Sequence, residues 1–188
     1  YSIELNNAVF LKEWDKEIAF REKDAVNKWN EKLADEVNFQ KFMQFKFFEH
    51  WDVVKKYANE KGIQIIGDLP IFVAYDSSDV WANKSQFTVD AKGNQVTVAG
   101  VPPDYFSKTG QLWGNPLYRW KEMEKDNFSW WQLRLRKMYE LVDIVRVDHF
   151  RGLEAFWEVP GNAKTAIDGK WVKAPGHKLF NVFKEVFG

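Results

Sequence analysis

Two short β-branched segments end in aspartate, and one of them carries an arginine two residues before that aspartate. Asp68 ends the segment 63–68, and Asp148 ends the segment 143–148, with Arg146 before it. Because side chains alternate along a strand, Arg146 and Asp148 share one face. A guanidinium a few ångströms away lowers the pKa of a carboxyl by about 1–3 units, which favours the ionised form that a nucleophile needs. The pattern therefore indicates a carboxylate nucleophile, although a buried ion pair that only holds the strand end explains it equally well.

Helical segments alternate with these two segments, which we interpret as buried parallel strands. Apolar residues at a spacing of three or four predict a packed helix face formed by Phe39, Met43, Phe47, Trp51, Val54 and Ala58. The predicted helices are residues 8–36, a helix from Asn38 to Lys61-Gly62, a short helix capped by Asp76 or Ser77, a helix capped by Asn127 or Ser129, and residues 177–187.

The segments between these elements are predicted to be loops and one hairpin. Residues 87–90 and 95–98 flank Lys92-Gly93-Asn94, which favours a hairpin. Residues 100–120 are rich in Gly, Pro and aromatic residues and lack periodicity, which predicts a long functional loop. Residues 152–176 are predicted to be turn-rich, with a polar and aromatic loop at 169–176.

This order of elements is typical of an α/β fold with parallel strands and an inserted segment. Two strands leave unpaired edges, and a complete β/α barrel takes about 250 residues. We therefore expect residues 1–188 to be an excerpt of one (β/α)8 TIM-barrel domain, with residues 84–120 as an inserted subdomain. The open edges predict possible self-association.

Composition excludes several classes of protein. Lys and Arg number 27 and Asp and Glu 27, so no basic excess favours nucleic acid or anionic membranes as partners. There is no Cys, and no apolar run of about 18 residues or signal-peptide pattern, which predicts a soluble cytoplasmic chain. The 10 Trp and 16 Phe exceed what a small core holds, so some rings are expected at a surface that binds a flat ligand.

Three motifs occur in one order that resembles a known family. Residues 145–152 (VRVDHFRG) and 66–73 (IGDLPIFV) resemble two conserved regions of the 4-α-glucanotransferases, or amylomaltases, of glycoside hydrolase family 77. Residues 100–107 (GVPPDYFS) with 109–118 (TGQLWGNPLY) resemble the long active-site loop of that family, and 169–176 resembles a further family loop.

The resemblance implies a retaining transglycosylase that acts on maltooligosaccharides and α-1,4-glucans in starch and glycogen metabolism, with no metal or organic cofactor. It implies Asp148 as nucleophile, Arg146 as its charge partner, His149 and Asp68 orienting the sugar, Trp113 beside that sugar, Tyr105 and Phe106 shaping the acceptor side, and Asp104 as a hydroxyl ligand. The proton-donor Glu and a further Asp of the family are not found. Glu154 and Glu158 lie in a segment interpreted as structural, so the chain alone is expected to be inactive.

Three other interpretations remain open. An α-glucan hydrolase of the same superfamily would share the nucleophile, but the acceptor loop argues against it. A non-catalytic glucan-binding module would keep the aromatic platform without needing an ionised strand-end carboxylate. A purely structural chain would place its aromatic rings in the core and both aspartates in ion pairs, which leaves the 100–120 segment unexplained.

Overall fold

The computed structural model describes residues 14–188. Its helices are α1 Lys16–Ala19, α2 Lys23–Lys32, α3 Ala34–Glu60, α4 Ser78–Ala82, α5 Trp120–Lys125, α6 Ser129–Leu141 and α7 Gly176–Phe187. Its strands are β1 Ile66–Pro70, β2 Thr97–Val101, β3 Gln111–Pro116, β4 Ile144–Asp148, β5 Ala155–Pro160 and β6 Lys170–Lys173. Within residues 14–188, no helix combines the length and the apolar character that crossing a bilayer requires.

The predicted helix over 8–36 is wrong as a single element, and its part before residue 14 lies outside the described residues. Arg21 adopts the left-handed backbone conformation (φ 56°), and this break separates α1 from α2. The next helix begins at Ala34 rather than after Asn38. Asn38 therefore lies inside α3, where the helical pattern outweighs its capping tendency.

Helix α3 ends as predicted, but its apolar face is not buried. Lys61 follows its last residue, and Gly62 takes a left-handed φ of 75°. Phe39, Met43 and Phe47 are 58%, 49% and 52% exposed. The predicted packed face is thus wrong for Phe39, Met43 and Phe47, whereas Trp51 and Ala58 further along α3 are half-buried.

The parallel pairing of the two aspartate-bearing strands is confirmed. In β1 and β4, Asp68 lies opposite Arg146 and Pro70 lies opposite Asp148. Burial of both strands is wrong, since Ile66 is 65% and Ile144 41% exposed. The sheet has two strands among the described residues, so one face stays uncovered, whereas Val145 and Val147 on the other face pack against the core as expected.

Helix α3 holds the start of this parallel sheet through three side chains. Trp51 Nε1 donates to the carbonyl oxygen of Leu141 (2.7 Å), and Lys55 Nζ donates to that of Val142 (3.1 Å). The Asp143 carboxylate accepts from the amide of Ile65 (2.8 Å) and from Nδ2 of Asn59 (2.8 Å). These bonds fix where both strands begin, and hence which side chains meet further along them.

A second, antiparallel sheet has the strand order β3-β2-β5-β6. Its presence corrects three predictions: residues 100–120 are not one loop, the segment 152–176 predicted to be turn-rich contains β5, and 169–176 contains strand β6. The hairpin predicted around Lys92-Gly93-Asn94 is confirmed, since Val89 and Gln95 form an antiparallel bridge. The Asp90 carboxylate closes its turn by accepting from the amides of Lys92 and Asn94 (both 2.8 Å). The second strand of the hairpin continues as β2 into this sheet.

The short helix α4 is capped as predicted, because the Ser77 hydroxyl accepts from the amide of Val80 (3.3 Å). Helix α6 is capped differently from the prediction. Phe128 occupies the cap position with a left-handed φ of 57°, and the Asp126 carboxylate accepts from the amide and hydroxyl of Ser129 (3.2 and 2.7 Å). The last predicted helix is confirmed as α7.

Aromatic rings form the centre of the core. Trp131, Phe87 and Tyr118 are 1%, 0% and 4% exposed, and Tyr118 contacts both of the other rings. By contrast, Tyr105 and Phe106 are almost fully exposed. The expectation of aromatic rings at the surface is confirmed. The expectation that most rings lie in the core is wrong for residues 14–188, where ten aromatic side chains are buried and thirteen are exposed.

Candidate functional site

The centre of the candidate site is an ion pair between the two strands of the parallel sheet. Nε and Nη2 of Arg146 donate to the two carboxylate oxygens of Asp68, a bidentate pair. The strand register places these residues opposite each other. The guanidinium lowers the pKa of the Asp68 carboxyl below its usual range, chiefly through these hydrogen bonds.

Asp148 lies at the carboxyl end of β4, with its side chain exposed and on the same face as that of Arg146. The family resemblance implies Arg146 as its charge partner. The structure gives the hydrogen bonds of Arg146 to Asp68, and Asp148 acts on Arg146 through its charge alone, as the weakest of the influences that raise the pKa of the guanidinium. Asp148 therefore keeps its carboxylate oxygens accessible to a ligand.

His149 follows Asp148 in the left-handed backbone conformation, with φ 50°. Such a conformation is uncommon for a residue with a side chain and is found preferentially at functional sites. Burial lowers the pKa of its imidazole below the ordinary value, and the Asp148 charge opposes this shift. Gly152 leaves room beside the ring, since a Cβ there would lie 3.1 Å from Cδ2 of His149. The imidazole is therefore neutral near pH 7 and held in a fixed place.

Trp113 of β3 contacts His149 edge to face, with ring centroids 4.8 Å apart. Its Nε1 donates to Oε1 of Gln111 (3.0 Å), and its ring lies 6.4 Å from that of Phe72. With 39% of its surface exposed, Trp113 has ring area left for a ligand. Sequence reasoning missed Gln111 and Phe72 as supports of Trp113, although both lie inside the motifs that carry the resemblance.

The loop 102–110 between β2 and β3 carries the remaining predicted residues. Tyr105 and Phe106 are 96% and 93% exposed, and their rings contact each other at 5.5 Å. Asp104 closes the loop, since its Oδ1 accepts from the amides of Phe106 (2.9 Å) and Ser107 (2.7 Å). The described contacts do not connect this loop tip with Asp148.

Glu158, one of the two glutamates in the segment interpreted as structural, has an ion-pair partner in the antiparallel sheet. Glu158 lies in β5 and forms an ion pair with Lys170 of β6 (3.3 Å), as expected for a structural carboxylate. Within residues 14–188, no cluster of three or more His, Cys, Asp or Glu side chains could hold a metal ion.

The arrangement offers one accessible carboxylate, one charge-paired carboxylate and an aromatic wall along the same end of the parallel sheet. An ionised carboxylate can attack an electrophilic carbon, and aromatic faces bind the apolar faces of sugar rings. The carboxyl ends of parallel strands are where β/α-barrel enzymes bind their substrates. This geometry suits a carbohydrate ligand held against Trp113, beside Asp148.

The chain is similar to known 4-alpha-glucanotransferases. The chain is 53% identical over 175 residues to a 4-alpha-glucanotransferase of Thermus thermophilus, covering 93% of this chain and 35% of the relative. It is 49% identical to a 4-alpha-glucanotransferase of Clostridium butyricum, covering 97% of this chain and 38% of that one.

The fold is similar to that of a solved amylomaltase from Streptococcus agalactiae in complex with acarbose. The TM-score is 0.95 at 41% identity, over 100% of this chain and 38% of that chain. The chain thus spans little more than a third of the length of the relatives it matches. The sequence profile of the 4-alpha-glucanotransferases, glycoside hydrolase family 77, matches residues 4–188, and the chain belongs to this family.

Proposed function

We propose that the full-length protein is a 4-α-glucanotransferase that transfers α-1,4-glucan segments between maltooligosaccharides. The observation that carries this proposal is the exposed carboxylate of Asp148 at the end of β4, beside the Arg146–Asp68 ion pair. A binding module does not need such a carboxylate, since an attacking group adds little to affinity. The family membership of the chain gives the proposal its reaction class.

The reaction is a double displacement with retention. The Asp148 carboxylate attacks the anomeric carbon, the glycosidic C–O bond breaks, and the leaving oxygen takes a proton from a general acid. A hydroxyl of a second glucan then attacks the glucosyl-enzyme ester, returns its proton to the same acid–base group, and frees Asp148. The matched motifs do not include that acid–base group, so residues 1–188 supply the nucleophile half of the site and are inactive alone.

The other residues support this chemistry by position and charge. Arg146 keeps Asp68 ionised, so that Asp68 accepts hydrogen bonds from sugar hydroxyls and remains a single, fixed negative charge. The neutral imidazole of His149 both donates to and accepts from a sugar hydroxyl. Trp113 forms the wall on which the glucose ring at the cleavage point lies.

The same proposal covers the architecture. The parallel pair β1–β4, with α6 before β4 and α7 after it in the chain, represents part of a (β/α)8 barrel. Residues 84–120 would be the inserted segment that carries the active-site loop. Location in the cytoplasm and self-association through open sheet edges stay predictions from the sequence.

The test uses the full-length protein and maltotriose. We expect Asp148→Asn to lower the disproportionation rate by about a thousandfold or more, because the neutral amide cannot form the ester. Acarbose binding, measured by calorimetry, should change little. Asp52→Asn is the matched control, since Asp52 is an exposed aspartate of α3 that lies outside the predicted site. An Asp148→Asn protein that disproportionates at the wild-type rate would overturn the proposal.

The acceptor side has a separate test. Tyr105 and Phe106 present nearly all of their ring area to solvent at the loop tip, which suits the binding of a second glucan. Replacing both with Ala should raise glucose release by hydrolysis relative to transfer, because water then competes better for the glucosyl-enzyme. An unchanged ratio would reject an acceptor role for these rings.

A further inference from the structure

A half-buried arginine of α6 reaches the backbone beside the candidate site. Arg134 of α6 has its guanidinium 5.2 Å from the rings of both Trp130 and Trp131. The ion pairs among residues 14–188 do not include Arg134. Burial lowers the pKa of the guanidinium, and the charge of Asp79 acts on it without a salt bridge. Even the partial burial of a cation without a salt bridge costs free energy, which the hydrogen bonds of Arg134 offset.

Those hydrogen bonds go to the backbone that continues from the tip of β1. Nη2 donates to the carbonyl oxygen of Pro70 (2.5 Å), and Nη1 donates to that of Ile71 (3.3 Å) and to Oη of Tyr118 (3.4 Å). The Tyr118 hydroxyl in turn donates to the carbonyl of Ile71 (2.5 Å). Carbonyls at a strand end have no ladder partner, and buried ones need a donor. Arg134 and Tyr118 together, the Arg134–Tyr118 clamp, supply it.

Pro70 and Ile71, whose carbonyls accept from Arg134, lie next to residues of the candidate site. Pro70 is the register partner of Asp148. The side chain of Ile71 lies so close to Gly152, in the turn after His149, that a Cβ on this glycine would be 2.6 Å from Cδ1.

The next residue in the chain, Phe72, continues this contact. Its ring contacts Trp113, which contacts His149. A displacement of the 70–72 backbone therefore moves the supports of Asp148, His149 and Trp113 together.

We propose that Arg134 is a positioning residue for glucosyl transfer: its clamp with Tyr118 fixes residues 70–72 and so holds Asp148 and Trp113 in the geometry of attack. This inference rests on the proposed function. A shift of about 1 Å in such a geometry costs up to about 100-fold in rate. Lysine cannot replace Arg134, because an ammonium lacks the planar fork that reaches Pro70, Ile71 and Tyr118 at once.

The test compares variants of the full-length protein. We expect Arg134→Lys to lower kcat for maltotriose disproportionation by about tenfold or more, with KM changed less than about twofold. Arg136→Lys is the matched control, since Arg136 is exposed on the same helix, and it should keep the wild-type kcat. Tyr118→Phe, which removes one hydroxyl from the core, should lower kcat in the same direction but less.

Comparing kcat per active site with the fraction of active sites distinguishes a positioning role from a merely structural one. If activity falls because less protein is folded, the fraction of active sites falls while kcat per titrated site stays at the wild-type value. That result, or a wild-type kcat in both Arg134→Lys and Tyr118→Phe, would overturn the inference. A wild-type protein that fails to disproportionate maltotriose would instead overturn the proposed function, so the two failures are distinguishable.

Discussion

The two sheets of this molecule differ in what they bury and in what they expose. In the antiparallel sheet, Val98 and Val159 are 3% and 0% exposed, and Ala166 packs against them at 0%. In the parallel pair, Ile66 is 65% exposed, and the outward face carries Arg146 and Asp148. One sheet therefore contributes packing, whereas the other presents charged groups at an open face.

This contrast places stability and chemistry in different parts of the chain. The aromatic core and antiparallel sheet bury apolar surface, which is the main stabilising term in folding. The parallel pair is held by hydrogen bonds from α3 at its start and from α6 at its end. We expect substitutions in the core to change stability first, and substitutions on the open face to change activity first.

The largest effect on stability is expected from Phe87→Ala. Phe87 is fully buried against the rings of Tyr118 and Trp130, at 5.5 and 5.6 Å. Removing its ring should cost about 3–5 kcal/mol through lost burial and the cavity left behind. Thermal unfolding of the full-length protein measures this as a lowered midpoint, with Phe87→Leu as the milder control. A midpoint equal to wild type would show that the core does not carry the stability.

A smaller and pH-dependent effect is expected from Asp143→Ala, at the start of the parallel pair. The carboxylate accepts from Ile65 and Asn59, and these bonds hold its pKa below the ordinary value. The Asp143 carboxylate therefore makes its full contribution to the free energy of unfolding above the pKa of about 3.9 that this group has in the unfolded chain. That contribution is lost as the pH falls through the lower pKa that the group has in the folded protein.

The difference in thermal midpoint between wild type and Asp143→Ala should accordingly be larger at pH 7 than at pH 3. Glu140→Ala is a suitable comparison, because Glu140 is an exposed acid whose ion pair is with Lys137 of the same helix. A difference that grows toward low pH would contradict the assignment of Asp143.

The smallest effect on stability is expected from Asp68→Asn. Its ion pair with Arg146 is exposed, and water and salt screen such pairs. The thermal midpoint should stay within measurement error of wild type, while the disproportionation rate falls because Asp68 no longer presents a fixed negative charge. A large loss of stability with an unchanged kcat would contradict the expectation that the open face of the parallel pair serves activity rather than stability.

The sequence was sufficient to predict the parts of the fold that depend on local pattern. Alternation along β4 placed Arg146 and Asp148 on one face, and Gly62 marked the end of α3. The antiparallel sheet was missed, because β5 pairs with β2, which lies far earlier in the chain, and β6 has only four residues. Proline and glycine in 100–120 obscured β3 and the end of β2, which flank the loop 102–110.

In the candidate site, too, the contacts between residues distant in the chain could not be predicted from the sequence. Motifs located the predicted residues, but the partner of Arg146 depends on strand register. Alternation along one strand could not show that Asp68 lies opposite Arg146. Arg134 belongs to none of the recognised motifs. It lies 64 residues along the chain from Pro70, to whose carbonyl it donates, so only folding brings it near the site.

Covalent trapping of the full-length protein shows directly whether Asp148 is the nucleophile. A fluorinated glucosyl substrate that leaves the enzyme slowly should form an ester, and peptide mapping by mass spectrometry locates it. We predict one labelled residue, Asp148, with no label in Asp148→Asn. A label on Asp68 or on any other carboxylate would contradict the assignment of the nucleophile.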